Sequence, residues 1–332
     1  MEAMALICDE KMAFSLESVI LPELGDKDIL VKTAYSGVSI GTEFALIRNK
    51  ISWGPYPLVT GYMATGVVEA IGNEVGDVRV GDRVFVRGNS AMTLADGTSI
   101  SRVSGTHCSH IVTQAGGTHG LGILPDGAPM EAASMFVMPA VGYNGVNMSD
   151  PGLGDHVVVF GSGLIGLGVV AAASLRGCKV IALDIADRQL EMARELGADV
   201  TINSATQDAG EAVAAICPDG PDAVFECTGE PALIDQAMAL CRPDGKFIWQ
   251  GHYGDTSAFT FSLAHGKRLK TFYPCDDGYM PCRQAVLKHM TQGILPWEKT
   301  ITHHIKANEA VAMYERINQG DKDIVGVTIQ WS

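Results

Sequence analysis

Three glycines in the run Phe160-Gly161-Ser162-Gly163-Leu164-Ile165-Gly166 have the spacing of a turn that cradles a dinucleotide. Each position has a task. Gly161 permits the tight turn, Gly163 lets the backbone approach a pyrophosphate, and Gly166 lets the following helix lie close to the sheet. Ser162, Leu164 and Ile165 fill the spaces between them, where the free N–H groups that open a helix face an anion. Asp184 follows Gly166 by eighteen residues. A carboxylate there is placed to accept hydrogen bonds from the adenosine ribose hydroxyls. A 2′-phosphate would meet like charge, so the cofactor expected is NAD rather than NADP. Arg188, four residues on, argues the other way, because a guanidinium can take that phosphate.

In a chain with 38 glycines, a GxGxxG alone is weak evidence. Its flanks give it weight. The apolar run 156–160 (HVVVF) reads as a buried strand, 164–175 as an Ala-rich helix, and 179–183 (KVIAL) as a second strand leading into Asp184. Helices over 187–196, 210–216 and 231–240 then alternate with strands over 200–202, 223–225 and 246–249. That succession predicts a doubly wound α/β fold, a parallel sheet covered by helices on both faces. Ligands of such sheets lie at the carboxyl ends of the strands, which adds Cys227, Thr228, Gly251 and His252 to the candidate cofactor walls. Tyr253 falls beside them. His252 and Tyr253 suit an ordinary loop equally well.

The first hundred residues have a different texture. Short runs at 29–34, 66–71 and 84–86, bounded by turn residues, predict a compact, barrel-like β domain. Polar, Gly- and Ser-rich 90–105 reads as a surface loop or hairpin. Toward the C-terminus, 283–292 and 307–319 look helical, and 300–305 and 326–330 extended.

At 332 residues, 47% apolar and 19% charged, the chain suits two soluble domains. A formal net charge of −14 leaves little for a nucleic-acid backbone to bind. The apolar runs are broken by glycines before they reach the length of a membrane span, and a basic region followed by an apolar core is absent at the N-terminus. A cytoplasmic protein acting on a small molecule is the expectation. Eight cysteines without a CxxC pair fit reduced, mostly buried thiols.

Further motifs carry a family likeness. Gly37-Val38, the run Gly66-Val67-Val68-Glu69-Ala70-Ile71-Gly72, Val80-Gly81-Asp82-Arg83-Val84, the GxGxxG with Asp184 and the late Ile301-Thr302-His303 resemble, in order and spacing, the medium-chain dehydrogenase/reductase family. The likeness covers nearly the whole chain. It implies a GroES-like, β-rich catalytic domain over 1–137 and 275–332 and a Rossmann NAD-binding domain over 138–274. It also implies hydride transfer to or from a nicotinamide cofactor, and a homodimer. Within the family, 36–43 (SGVSIGTE) and 56–62 (YPLVTGY) look most like a subgroup that includes the bacteriochlorophyllide dehydrogenase of photosynthetic bacteria.

Zinc-dependent members hold their catalytic metal with a Cys, a His of a Gly-His-Glu motif, and a third ligand ahead of the Rossmann domain. Here the Cys position matches Ser39, or Ile40 one residue on. The His is Tyr62, its Glu neighbour is Met63, and no Cys or His lies between His119 and His156. Serine, phenol and thioether do not make a zinc site. His107, Cys108 and His110 alternate along an extended run, so their side chains diverge. No metal is expected.

Without a Lewis acid, alcohol chemistry needs a general acid/base and donors aimed at the alkoxide. Tyr62, in the vacated ligand position, is the first candidate, as donor or, with a lowered pKa, as proton acceptor; the alternative is a tyrosine packed beside the cleft. His107 aligns with a substrate-pocket position of the family and suits acid/base work, or is structural. Ser39, Thr42 and Glu43 sit where the family places a ligand and a proton relay, with Glu43 alternatively a surface charge. The leading reading is a zinc-independent, NAD-dependent dehydrogenase interconverting a secondary alcohol, of polyol, sugar-like or cyclic type, and its ketone. The others are a quinone or enone reductase of the same family, and a non-catalytic NAD(H)-binding protein.

Overall fold

The computed structural model describes residues 1–48, 54–102, 104–117, 120–254, 256–278 and 280–332. They form two compact units: Met1–Phe136 with Leu287–Ser332, and Val137–Val286. The return to the first unit was expected at 275 and falls at 287, because 275–286 packs with the second unit.

The first unit is built from short strands whose apolar residues alternate inward. Strands β1 (Glu2–Cys8), β2 (Phe14–Ile20), β3 (Ile29–Gly37), β4 (Leu58–Val59), β5 (Ala64–Ile71), β6 (Arg83–Val86), β7 (Met92–Leu94), β8 (Ser99–Arg102), β9 (His110–Thr113) and β10 (Leu121–Ile123) are its first ten. A closed barrel runs β1-β2-β7-β8-β4 and back to β1. Within the polar stretch, β7 and β8 pair as a hairpin whose Met92 and Ile100 join the barrel core. A seven-stranded sheet runs β10-β6-β5-β3, with β9 also on β3, and is completed by the C-terminal strands Gly326–Gln330 and Ile301–Lys306.

Between β3 and β4 lies α1 (Ile40–Ile47). Eight residues are too few for a helix to stand on propensity. Packing holds it: Phe44 and Ile47 are buried with Phe14, Val38 and Tyr314, and the Phe44 and Tyr314 rings stack at 5.4 Å. Each such apolar side chain contributes about 1.5–3 kcal/mol by leaving water.

The second unit follows the alternation read from its sequence. After α2 (Met130–Ala133), the last helix of the first unit before the crossing, come α3 (Val137–Ser149) and strand β11 (His156–Phe160), which leads through α4 (Leu164–Leu175) to β12 (Lys179–Asp184), then α5 (Asp187–Glu195) and β13 (Val200–Asn203). The second half runs α6 (Ala209–Ile216), β14 (Ala223–Glu226), α7 (Ile234–Leu240), β15 (Lys246–Trp249), α8 (Phe261–Gly266) and β16 (Lys270–Phe272). The sheet is parallel, in the order β13-β12-β11-β14-β15-β16. The order reverses between β11 and β14, so the carboxyl ends of those strands open a crevice. The helix expected over 231–240 begins as a 3₁₀ turn, Pro231–Leu233, because Pro231 opens it and the Glu230 carboxylate accepts the Ala232 N–H.

Candidate active site

The turn after β11 has the geometry its glycines imply. Gly161 adopts φ +98, and a Cβ there would lie 2.8 Å from Thr228 Cγ2. A Cβ on Gly166 would lie 2.0 Å from the Gly161 carbonyl oxygen, so any side chain would push α4 off the turn. Gly163, the residue that caps α4, is exposed and faces open space. That opening is where a phosphate can meet the helix end. Leu164 and Ile165 are half-buried on the first turn, and Ser162 is buried, with its Oγ donating to Leu183 O.

Asp184 ends β12 and turns back over this loop. One carboxylate oxygen accepts the Ser162 N–H at 2.8 Å and the other the Ala186 N–H at 3.0 Å. Two backbone bonds leave lone pairs for ribose hydroxyls. Arg188 is exposed on α5.

The loops after β14 and β15 lie directly on one another. A Cβ on Gly251 would be 2.6 Å from Gly229 N, and one on Gly229 would be 2.9 Å from His252 O. Glu226, the fully buried last residue of β14, ties them together. It accepts from the N–H groups of Thr228 at 3.0 Å and Gly229 at 3.2 Å, from the Thr228 hydroxyl and from the Tyr253 phenol. Burial pushes its carboxyl above the usual range, and these donors pull against that rise. Thr228 and His252 are exposed, while Cys227 is half-buried with a thiol pushed far up by burial and then by Glu226, which excludes a nucleophile. Glu226 was missed in the sequence. A carboxylate closing an otherwise apolar strand, AVFE, was the signal for it.

In the first unit, Ser39 and Tyr62 come together. Ser39 caps α1, yet its hydroxyl makes no cap bond to the helix. The Tyr62 phenol lies near the Ser39 and Thr42 side chains, which draw its pKa down against burial. Tyr62 is 8% exposed and Ser39 4%, while Thr42 reaches solvent. Burial, with the Glu43 charge adding to it against the Ser39, Thr42 and Arg87 contributions, pushes the phenol up to about 12. A phenol raised in this way stays protonated near neutral pH, a state suited to donating a hydrogen bond.

His107 and Glu43 have no exposed surface. The imidazole is held at both nitrogens, Nδ1 to Ser36 Oγ at 2.8 Å and Nε2 to Glu43 Oε2 at 3.0 Å. An acid/base that meets substrate needs an open face, so the structure removes His107 from that role. Glu43 is equally no surface charge. It accepts from the Ser39 N–H at 2.7 Å and the Tyr314 phenol at 2.6 Å as well as from His107.

Residues 25–140 match the alcohol dehydrogenase GroES-like domain family, and residues 165–281 the zinc-binding dehydrogenase family. The chain belongs to the medium-chain dehydrogenase/reductase family. It is 26% identical to the D-xylulose reductase of Scheffersomyces stipitis over 95% of each chain. To the erythritol/L-threitol dehydrogenase of Mycolicibacterium smegmatis it is 25% identical over 96% of this chain and 95% of that one. It shares the fold of the 2R,3R-butanediol dehydrogenase of Bacillus subtilis with a TM-score of 0.85, 21% identity and 99% of each chain covered. This family member is accordingly an oxidoreductase, with a GroES-like domain and a Rossmann domain.

The donor set of this dehydrogenase does not fit the zinc its family relatives hold. Ser39, Tyr62 and Met63 occupy the positions that resemblance assigns to the metal and its neighbour, and Met63 is fully buried. Cys108 is buried, its thiol pushed up to about 11, and His110 turns away to Glu69 at 3.4 Å. Among the described residues, no three His, Cys, Asp or Glu side chains converge. His119 lies outside those residues. Arg87 is a second residue the sequence reading missed: its buried guanidinium sits 5.1 Å from the Tyr62 ring centre and donates to Tyr62 O at 3.0 Å. Such a desolvated cation–π contact is worth about 2 kcal/mol and fixes the ring. An arginine following the apolar strand RVFV was its trace.

Proposed function

We propose that this dehydrogenase interconverts a secondary alcohol and its ketone with NAD and without zinc, and that the Tyr62 hydroxyl takes the place of the metal at the substrate oxygen. One observation carries the reading: Tyr62, at the position resemblance assigns to a metal ligand, has a buried phenol whose pKa burial raises to about 12, beside the Ser39 and Thr42 side chains. Polyol, sugar-like or cyclic alcohols are the class proposed, supported by the two relatives named for xylulose and for erythritol and threitol. The subgroup likeness at 36–43 and 56–62 agrees with a secondary alcohol and is not extended to a tetrapyrrole.

The turn Gly161 to Gly166 holds the pyrophosphate, and Asp184 binds the adenosine ribose and disfavours a 2′-phosphate. When bound, NAD supplies the hydride acceptor. Tyr62 donates a hydrogen bond to the substrate oxygen, stabilising negative charge as it develops there. As the hydride leaves to NAD, the substrate's own hydroxyl proton passes to solvent water, which reaches this group at exposed Thr42.

A panel of polyols and cyclic secondary alcohols with NAD, run beside enones and quinones with NADH, tests this. NAD-linked oxidation of a secondary alcohol is expected. Reduction of enones with no alcohol oxidation would establish the competing reductase instead.

A further inference from the structure

Two buried groups outside substrate reach connect the strands and loops that carry Ser39 and Tyr62. The Trp331 indole N–H donates to Ser36 Oγ at 2.8 Å. Indole nitrogen only donates, so Ser36 Oγ accepts there, and the same Oγ is hydrogen-bonded to His107 Nδ1 at 2.8 Å. His107 Nε2 lies 3.0 Å from Glu43 Oε2, and a carboxylate oxygen there accepts. Tyr314 donates to that same oxygen at 2.6 Å. The other oxygen takes the Ser39 N–H. Every donor around Glu43 points inward, which is what a buried carboxylate requires.

On the other side, the His107 ring lies against the backbone that leads into Tyr62. Gly61 adopts φ +86, and a Cβ there would lie 2.7 Å from His107 Cγ and 2.7 Å from His107 N. The His107 N–H donates to Thr60 O at 3.2 Å, and the Thr106 N–H to Gly61 O at 3.0 Å. Ser39 is thus fixed through Glu43, and Tyr62 through Gly61.

We propose that Glu43 and His107 are positioning residues, a buried carboxylate–imidazole pair that sets the Ser39 and Tyr62 hydroxyls at their mutual geometry for the substrate oxygen. This rests on the reading of Tyr62 given above. Neither residue touches substrate. Their effect on rate runs through placement, where a shift of about 1 Å costs on the order of 100-fold.

Two substitutions of His107 separate positioning from space filling. His107→Gln keeps a donor near the Nε2 position and should retain kcat within about fivefold, the scale of one weakened hydrogen bond. His107→Phe fills the space better but loses the donor, and should lower kcat about 100-fold while NADH affinity, read by fluorescence, holds. The reverse order, with Phe the more active, overturns the proposal.

A second measurement needs no turnover. The ultraviolet difference titration of tyrosine, taken as protein minus its Tyr62→Phe counterpart, isolates Tyr62, which faces Glu43, Arg87 and the Ser39 and Thr42 hydroxyls. In Glu43→Gln the neighbouring anion is gone, and Tyr62 should ionise at lower pH. An unmoved Tyr62 titration in folded Glu43→Gln overturns the pair's hold on Tyr62, whatever the activity. If the wild type oxidises no alcohol yet the titration moves, the alcohol reading fails while the contact of Glu43 with Tyr62 stands.

Discussion

Exposure separates the side chains gathered around Tyr62 into those that can meet a substrate and those that act through others. Tyr62, Ser39 and Thr42 retain some open surface; Glu43 and His107 have none. Tyr62→Phe removes one hydroxyl from a ring still clamped by Arg87, so the fold and NADH binding should be unaffected. Loss of the oxyanion donor should lower kcat about 100-fold, measured under saturating NAD and alcohol. Because burial raises this phenol to about 12, it stays protonated through the working range. The wild-type kcat profile should therefore show no limb from Tyr62 below about pH 10, the ordinary phenol value. Asp184 offers a parallel test for the cofactor. Asp184→Ser removes the charge that would repel a 2′-phosphate and leaves Arg188 nearby. The ratio of NADP to NAD affinity should rise about tenfold, ~1.4 kcal/mol, in a direct binding titration.

The elements explain why the cofactor cradle was legible and the catalytic surroundings were not. Strand β11, the glycine turn and α4 are contiguous, so their period and spacing state the structure directly, and β11, α4 and β15 fall where the sequence placed them. Glu43, His107, Ser36, Tyr314 and Trp331 come from five separate segments joined only by tertiary packing. No spacing in the sequence records that meeting. His107 on its own therefore reads as a titrating group, and only its burial between Ser36 and Glu43 shows otherwise. The glycines of the turn differ from one another in a testable way. Gly163→Ala meets nothing in the free protein, so it should fold normally and lose NAD affinity, because its methyl stands where the pyrophosphate must approach. Gly166→Ala places its methyl against the Gly161 carbonyl and should lower Tm even without cofactor. Thermal melts with and without NAD distinguish the two; equal melting losses in both free proteins would contradict these assignments.

Across the whole molecule, the GroES-like unit and the Rossmann unit have kept the family's fold while the metal-ligand positions changed together. Ser39, Tyr62 and Met63 are not isolated substitutions. On the proposed reading, a phenol, hydroxyls and a buried thioether in those places leave hydrogen bonding as the chemistry, with Arg87, Glu43 and His107 holding it in place. Zinc independence is the central claim, and the metal content of the active enzyme tests it most directly. Mass spectrometry of protein purified while oxidising its alcohol with NAD should find zinc far below one per chain, with turnover unchanged after chelation. Zinc at one per chain, with activity lost on chelation and restored by the metal, would contradict it.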